Sequence, residues 1–491
     1  MASASKFIGM TMHLSLIQQL RRHPLAGMMG GSALILFVCS SLRHALFNSN
    51  AWDLGIFDQV IYLISQGQPP FSSLLGFHIL GDHATGIFYP LALLYRLTPD
   101  VHWLFAVQAI ALSLGALPTW RLSLQAGLKP SQALLMAGVY LLYPLIFNVN
   151  LADFHPDVMA VPALLWAVLM ARTGRPVWFG INLILTLSCK AVLALTVAAL
   201  GVWLLVVEKK RGYGAIALGA GVAWFLIAIQ WVLPTFGSGV GAVARQAGRY
   251  AYLGGTPLEI LTHLVIRPDL ILGKIASVDT VEYLLLLSLP VLWGLSFRHF
   301  SALIPAIPAL ALNLLSMEAG MRNLVHQYTL PILPFLLLVV IATVADQRHW
   351  LKSQRAIALW SIVAFLALAK YGFFWSKYTD SLDTWEATQG AIAQIHTEGG
   401  VLTTNNITPH VTHRPMVQFT DKKRPIQWAD FDYVLLNVRH PGWRSSPEFA
   451  THLVETLQQM PAFQQTFNRD QVYLFERRQF TAPLLPRVTD P

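Results

Sequence analysis

The first polar segment after the N-terminal apolar run of this chain reads Trp52-Asp53-Leu54-Gly55-Ile56-Phe57-Asp58-Gln59. Two further polar clusters, Asp82-His83 and Asp153-Phe154-His155-Pro156-Asp157, interrupt strongly apolar sequence. Ionisable groups near a bilayer are costly to keep, and they usually serve a site, a pathway or a partner. The three clusters therefore predict an integral membrane protein with a carboxylate and histidine site at one membrane face.

The composition excludes an ordinary soluble protein. Of the 491 residues, 55% are hydrophobic and 12% are charged, whereas soluble domains carry about 25% charged residues. The net charge of +9 needs no nucleic acid to explain it, because most Lys and Arg before the C-terminal region flank apolar runs, as in the positive-inside pattern. Cys39 and Cys189 both lie within apolar runs, which argues against a disulfide framework.

The apolar runs predict an α-helical polytopic membrane protein with about eleven transmembrane helices. Several of the runs approach the ~20 residues that a bilayer requires. They lie at roughly 25–44, 101–121, 131–148, 158–171, 177–190, 191–207, 213–233, 281–297, 300–316, 327–345 and 356–375.

The basic clusters orient these helices in a plasma (inner) membrane. Arg21-Arg22, Lys209-Lys210-Arg211 and the other clusters all fall on the cytoplasmic side if the run 177–207 crosses twice, turning near Lys190. The N-terminus is then cytoplasmic and the C-terminal region extracytoplasmic. If 177–207 crosses only once, every later loop changes side.

A change of composition near Lys377 divides the chain into a transmembrane domain, 1–376, and a small extracytoplasmic α/β domain, 377–491. Short runs of β-branched and aromatic residues in the second domain are typical of strands. The predicted strands lie at 401–404, 433–436 and 472–475, and the predicted helices at 385–396 and 448–460. A domain of this size can form a core of its own.

The first outer loop holds three candidate catalytic residues, Asp53, Asp58 and His83. Apolar residues at helical spacing follow Asp53, and they predict an amphipathic helix that lies along the membrane interface. One alternative is that Asp53 only caps this helix. Another is that Asp82-His83 is a polar turn without a chemical role.

The alternating residues Asp153, His155 and Asp157 are the candidate metal ligands. Carboxylates and imidazole around a proline bend suit a divalent cation such as Mg²⁺ or Mn²⁺. The alternative is a polar turn between two helices.

Several basic residues on the predicted outer face run against the positive-inside bias and invite a reason. Phosphate binding is one reason, and tolerance in a long loop or a snorkelling side chain is the other. The candidates are Lys190, Arg245, Arg249, Arg322 and His326. In the C-terminal domain, His410 and His413 are predicted to be a surface feature rather than a ligand set.

The chain resembles a family of multi-spanning bacterial membrane proteins known as domain of unknown function 2079. The resemblance covers most of the chain and rests on several motifs together. These are Trp52–Gln59, the His83 region through Pro90-Leu91, Gln108 with Gly115–Pro118, Asp153–Asp157, Tyr252–Gly255 with Glu259–Leu261, Pro305–Asn313 and His326–Tyr328. That family in turn is similar to the GT-C class of glycosyltransferases, which carry an essential acidic residue in the first outer loop and take sugar from a polyprenyl-phosphate carrier.

One departure from the family's pattern concerns Lys190. Such sequences often have an acidic residue directly after this lysine, and here Ala191-Val192 follows. The departure leaves open a changed substrate or a weakened activity.

The leading hypothesis is a membrane glycosyltransferase that takes a sugar from a polyprenyl-phosphate donor and gives it to an unknown glycan, lipid or protein acceptor. Asp53 is expected to be the base or a ligand of a metal ion beside it, and Lys190, Arg249, Arg322 and His326 are expected to bind the substrate. The alternatives are a transporter or lipid flippase, and a non-catalytic assembly protein. ATP-driven transport by this chain is not expected, since the sequence has no Walker loop.

Overall fold

A computed structural model describes residues 23–237 and 247–478 of the chain. The basic pair Arg21-Arg22 and the candidate phosphate ligand Arg245 lie outside the described residues. The described chain is mostly helical, as the apolar runs predicted.

Many of the helices begin with a proline, as at Pro24, Pro130, Pro144 and Pro176. Proline suits the first helical position because the N–H that it lacks would have no partner there. The α-helices are Pro24–Ala45, Ile56–Ser65, Leu80–His83, Phe88–Tyr95, His102–Leu114, Ala116–Gln125, Pro130–Leu141, Pro144–Asn150, Asp157–Arg172, Pro176–Cys189, Leu193–Val206, Arg211–Ile227, Leu233–Phe236, Pro257–Ile266, Pro268–Ile275, Val278–Ser288, Ile307–Leu315, Leu333–Ala345, Gln354–Leu368, Trp385–Ile392 and Pro447–Gln459.

Among the described residues, five helices are long and apolar enough to cross a bilayer, and seven spans result if each of two bent helix pairs is one span. The five are Pro24–Ala45, His102–Gln125, Pro130–Asn150, Arg211–Phe236 and Phe297–Leu315. Three shorter apolar helices of the described chain overlap further predicted runs, namely Pro176–Cys189, Leu193–Val206 and Leu333–Ala345. The total of eleven spans and the side on which each terminus lies therefore stay predictions.

The helix Asp157–Arg172 lies at the centre of the helical region. All of its residues except Trp166 and Arg172 are buried, as expected for a helix that is apolar on every side. The helix Pro24–Ala45 lies at the periphery, where Leu34 and Ile35 are 63% and 58% exposed. Such an apolar outer surface suits contact with lipid.

The run predicted to cross twice is interrupted at Lys190, as expected. The helix Pro176–Cys189 ends there, Lys190 has extended backbone angles, and the next helix begins at Leu193. The interruption rests on the loop before Phe88, because the Ala191 N–H donates to the His83 carbonyl at 2.8 Å. Whether each of the two helices crosses the membrane stays a prediction.

The C-terminal region contains a sheet that is five-stranded within the described residues. A short hairpin in the first outer loop, β1 (Phe71–Ser72) and β2 (Phe77–His78), precedes it in the chain. The five strands are β3 (Val401–Thr403), β4 (Val417–Phe419), β5 (Tyr433–Asn437), β6 (Phe463–Arg469) and β7 (Val472–Arg477). Their order is β4-β3-β5-β7-β6, with β3 parallel to β4 and β5, and β7 antiparallel to β5 and β6.

Three of these strands were predicted, and two were not. All residues of β5 are buried, so its apolar run reads clearly. The strand β6 lies at the sheet edge and is mostly exposed and polar, and β4 has only three residues. Neither carries the hydrophobic pattern on which strand prediction depends.

The helix Ile56–Ser65 is buried on nearly all sides, so protein covers its faces, and its position along the membrane interface stays a prediction. Gln59 Nε2 donates to Ser73 Oγ at 2.7 Å and to the Arg414 carbonyl at 3.2 Å. The Ser73 hydroxyl donates to the Val417 carbonyl at 2.7 Å. The C-terminal region therefore covers this helix, because buried polar groups such as Gln59 require hydrogen-bond partners.

This contact makes the topology testable. Gln68, in the first outer loop, and Asn468, in β6, are both exposed. Because the loop packs on the C-terminal region, Gln68→Cys and Asn468→Cys should both react with a membrane-impermeant maleimide in intact spheroplasts. The unsubstituted chain, with buried Cys189 and half-buried Cys39, is the background control. Reaction at one position but not the other would contradict a shared side.

Candidate functional site

Asp53 lies in a single π-helical turn, Ala51–Gly55, at the start of the first outer loop. Its Oδ1 is 3.5 Å from Nε2 of His155, and the Asp53 side chain is 38% exposed whereas that of His155 is 3% exposed. The residues at the capping positions of the π-turn and of the next helix are Asn50 and Gly55. Asp53 is therefore not a helix cap, and its carboxylate is open on one side.

The backbone on either side of Phe154 is held by a polar residue of the helix His102–Leu114. The backbone N–H of His155 donates to Gln108 Oε1 at 3.0 Å, and Gln108 Nε2 donates to the Asp153 carbonyl at 3.0 Å. The Nδ1 atom of His155 lies 3.4 Å from the same carbonyl. With Nδ1 directed to a carbonyl, Nε2 is directed to Asp53, so Gln108 fixes the contact between His155 and the candidate base.

The surroundings of Asp53 keep it ionised at neutral pH. Desolvation raises the pKa of the Asp53 carboxyl, but hydrogen bonding to His155 and the nearby charges of His326 and Lys190 outweigh it. The pKa therefore lies below its usual range. His155, His326 and Lys190 all influence this one carboxyl. The structure therefore brings these three candidate site residues together with Asp53.

Lys190 forms a buried ion pair with Asp157. Its Nζ is 3.2 Å from Asp157 Oδ2, and the two side chains are 7% and 5% exposed. The acidic partner that the sequence lacks directly after Lys190 is thus supplied by Asp157, at the start of another helix.

Two cationic side chains lie close to the ring of Tyr328. Lys190 Nζ is 6.0 Å from the centre of the Tyr328 ring, and Arg249 Cζ is 5.5 Å from it. Both distances permit cation–π attraction. Within the described residues, Arg249 has no carboxylate within ion-pair distance, so its positive charge is not neutralised by a salt bridge.

His83 belongs to the same neighbourhood. Burial, together with the positive charges of Lys190 and Arg249, holds the pKa of His83 well below its usual value. Its Nε2 is 3.3 Å from Asp82. The neutral imidazole therefore lies beside the Lys190–Asp157 pair rather than in a separate polar turn.

Asp153 is occupied by a structural ion pair with Arg43. The Arg43 guanidinium binds both carboxylate oxygens, and the second of these contacts is 3.2 Å long. The Asn50 N–H also donates to Asp153 Oδ2 at 3.0 Å. These contacts tie the loop that carries His155 to the end of the helix Pro24–Ala45 and to the residues just before Asp53.

The predicted metal ligands do not form one set. Asp153 binds Arg43, His155 faces Asp53, and Asp157 binds Lys190. In the part of the chain that the structure describes, no group of three His, Cys, Asp or Glu side chains is arranged to hold a metal ion. These three residues therefore do not fit a shared divalent cation.

Asp58 has different partners from Asp53. Its carboxylate accepts hydrogen bonds from the hydroxyls of Tyr95 and Thr412 and lies 3.2 Å from His413 Nε2. Asp58 is 1% exposed, so it is sealed from any substrate. The structure places it as a link between the outer loop and the C-terminal region, and not beside Asp53.

The predicted surface position of His410 and His413 is wrong. His410 stacks on His44 with ring centres 3.9 Å apart, and burial lowers the pKa of His410 to about 4. His413 stacks on Tyr62 at 4.7 Å. Both imidazoles lie at the contact between the C-terminal region and the helical region.

Arg322 and His326, two residues expected to bind phosphate, differ in position. The Arg322 guanidinium donates to the carbonyl of Ser316 at 2.6 Å, just beyond the end of the helix Ile307–Leu315, and lies 3.6 Å from Asp279. It therefore stabilises a helix terminus. His326 is exposed at one edge. The protein around its ring and the charge of His155 lower its pKa, and the negative charge of Asp53 partly offsets this by raising it.

Sequence reasoning gave no site role to Gln108, Tyr328 or Arg43. Gln108 is a polar residue within a membrane-type helix, which is a usable signal because such residues are expensive to bury. Arg43 carries the same signal, because it is a charged residue within the helix Pro24–Ala45, whereas Tyr328 carries none.

Residues 43–474 match a protein family described as "Predicted membrane protein (DUF2079)". A search of curated proteins finds no match. Among solved structures, ArnT from Cupriavidus metallidurans in the apo state aligns with a TM-score of 0.53 and 13% identity, over 93% of this chain and 98% of ArnT. ArnT bound to undecaprenyl phosphate aligns at 0.47 and 13%, over 92% and 97%. The first likeness shows that this chain and ArnT share a fold.

The buried pair Arg43–Asp153 should be essential for stability. Asp153→Ala leaves an unpaired buried guanidinium, so we expect a loss of about 3–5 kcal/mol in unfolding free energy. The matched control is Glu208→Ala, which breaks the partly exposed pair with Arg172 (2.8 Å) and should cost about 1 kcal/mol or less. Denaturation of the detergent-solubilised variants measures both, and equal costs would contradict the structural role.

The His413–Asp58 contact should make stability depend on pH. Burial lowers the pKa of His413, but the charge and hydrogen bond of Asp58 outweigh it and raise the pKa above its usual value, about 6.5. The stabilisation is therefore complete below pH about 6.5 and is lost as pH rises through the raised pKa. The melting temperatures of the natural chain and His413→Gln should differ at low pH and converge at high pH. A difference independent of pH would contradict this coupling.

Proposed function

Because the chain belongs to the DUF2079 family of predicted membrane proteins and shares its fold with ArnT, we propose that it is a membrane glycosyltransferase. It transfers a sugar from a polyprenyl-phosphate donor to an acceptor at the extracytoplasmic face of the plasma membrane. The observation that carries the proposal is the half-open carboxylate of Asp53, held by His155 beside a group of cationic side chains.

In the proposed reaction an acceptor hydroxyl attacks the anomeric carbon of the donor sugar. A bond forms between the acceptor oxygen and that carbon, and the bond from the carbon to the phosphate oxygen breaks with its electron pair. Asp53 takes the hydroxyl proton as the bond forms, a role that needs the ionised carboxylate which the lowered pKa provides. The open side of Asp53 gives the hydroxyl access.

The leaving polyprenyl phosphate carries the developing negative charge. Arg249 and Lys190, both close to the ring of Tyr328, are the groups proposed to bind it. Arg249 supplies the larger part, because the Lys190 charge is already balanced by Asp157. Fixed cations in a site shielded from water stabilise such charge strongly, since they need no reorganisation during the reaction.

The other predicted site residues have supporting roles in this proposal. His155 orients Asp53, and His83 and His326 line the neighbourhood of the cations. Asp58, Asp153 and Arg322 hold the structure together and take no part in the chemistry. Since Asp153, His155 and Asp157 do not converge, the proposed mechanism contains no metal-dependent step.

The proposal predicts a large effect of Asp53→Asn. The substitution keeps the side-chain size but removes the base, so transfer should fall by roughly 10²–10⁴-fold with little change in melting temperature. The measurement is transfer of labelled sugar from polyprenyl-phosphate donors, with purified protein in liposomes and bacterial envelope extract as the acceptor.

The matched control is Asp100→Asn, an exposed aspartate whose contacts with His102 lie in a separate turn. It should transfer sugar at the natural rate. Undiminished transfer by Asp53→Asn would remove Asp53 as the base. Absence of transfer by the natural chain with every donor would instead favour a transporter, a flippase or an assembly protein.

A further inference from the structure

A cleft of about 440 Å³ opens where the C-terminal region meets the chain that follows the last apolar helix. One wall comes from residues 377–381 and Asn48, and the other from the loop 439–447. The floor includes Asn406, whose Nδ2 donates to the Phe47 carbonyl at 2.9 Å. That hydrogen bond joins the two regions directly beneath the cleft.

Nine of the twelve residues that line the cleft have polar or charged side chains. They comprise two amides, three hydroxyls, an imidazole and both signs of charge, and the other three residues are Pro441, Gly442 and Pro447. Most small-molecule sites are lined mainly by apolar side chains. A lining that offers both hydrogen-bond donors and acceptors instead suits a ligand with many hydroxyl groups.

The polar side chains are held in place by the fold. Asp383 accepts hydrogen bonds from Arg439 and His440, each at 2.7 Å. Gly442 has φ +75°, and a Cβ there would lie 3.1 Å from both Asn405 Cβ and Asn406 Oδ1. The glycine therefore lets the loop approach the floor closely, and a preformed cleft loses little entropy when a ligand binds.

The cleft adjoins the candidate site. Asn48 precedes the π-turn of Asp53 by a few residues, and the charge of Lys377 contributes to the lowered pKa of His326, after burial and His155. Trp443, from the cleft loop, lies 6.0 Å from Trp52 between ring centres. The cleft loop thus contacts the residue directly before Asp53, and Asn48 of the cleft lies five positions before Asp53 in the chain.

We propose that this cleft binds a sugar residue of the acceptor, so that the acceptor is a glycan or a molecule that carries one. The inference rests on the proposed glycosyltransferase function and narrows the acceptor, which that function leaves open. The bound residue is not the one that reacts. It positions the next hydroxyl of the acceptor at Asp53, where the proton is removed and the new glycosidic bond forms.

The test measures binding separately from transfer. The full chain in nanodiscs is applied to a printed array of bacterial envelope oligosaccharides, without any donor. At least one oligosaccharide should bind, and Asp380→Ala should weaken its affinity by at least tenfold, because Asp380 is an exposed lining residue that offers a charged acceptor. Asp430→Ala, at an exposed aspartate outside the cleft, is the matched control and should bind normally.

Two more variants make the result decisive. His440→Ala should also weaken binding at least tenfold, which covers the case in which Asp380 is peripheral. Asp53→Asn should bind normally while losing transfer. The inference is overturned if no oligosaccharide binds, or if binding survives both cleft substitutions. Cleft-dependent binding without any transfer by the natural chain would keep the saccharide site and reject the enzyme.

Discussion

Charge neutralisation at the loop Asp153–Asp157 is the constraint on which the rest of the site depends. Two carboxylates and an imidazole enter an interior that is nearly dry, where an unpaired ion is far more costly than in water. Each takes a partner from a different part of the chain, namely Arg43, Asp53 and Lys190. The loop thereby fixes three parts of the chain relative to one another. They are the helix Pro24–Ala45, the turn that carries Asp53, and the interruption of the helices at Lys190.

The alternation of polar residues in this loop also explains why three side chains close in sequence act separately. Asp153 has a positive φ of 71°, a conformation that non-glycine residues seldom adopt. It turns the chain so that Asp153 meets Arg43 while His155 reaches Asp53. The alternating residues resemble a metal-binding sequence, but each of them contacts a different part of the chain. Ion pairs therefore organise the site.

Local patterns predicted the helical class and the region of the candidate site, but not its pairing. Apolar runs and the polar clusters around Asp53 and Asp157 are visible in the sequence because they concern neighbouring residues. The contact of Asp58 with Thr412 spans 354 positions, and no periodicity reports such a contact. The same limit explains the misplacement of His410 and His413, since polar residues that are buried by a remote segment look like surface residues.

The cover that the C-terminal region forms over the helix Ile56–Ser65 has a consequence for biosynthesis. Asp58, Gln59 and Ser73 find their partners among residues 412–417, so these polar groups lack them while the ribosome is still making the intervening segments. N-terminal segments generally fold first during synthesis, but here the first loop must wait for almost the last. The packing around the helix Ile56–Ser65 is accordingly among the final parts of the molecule to form, and a prematurely terminated chain would not possess it.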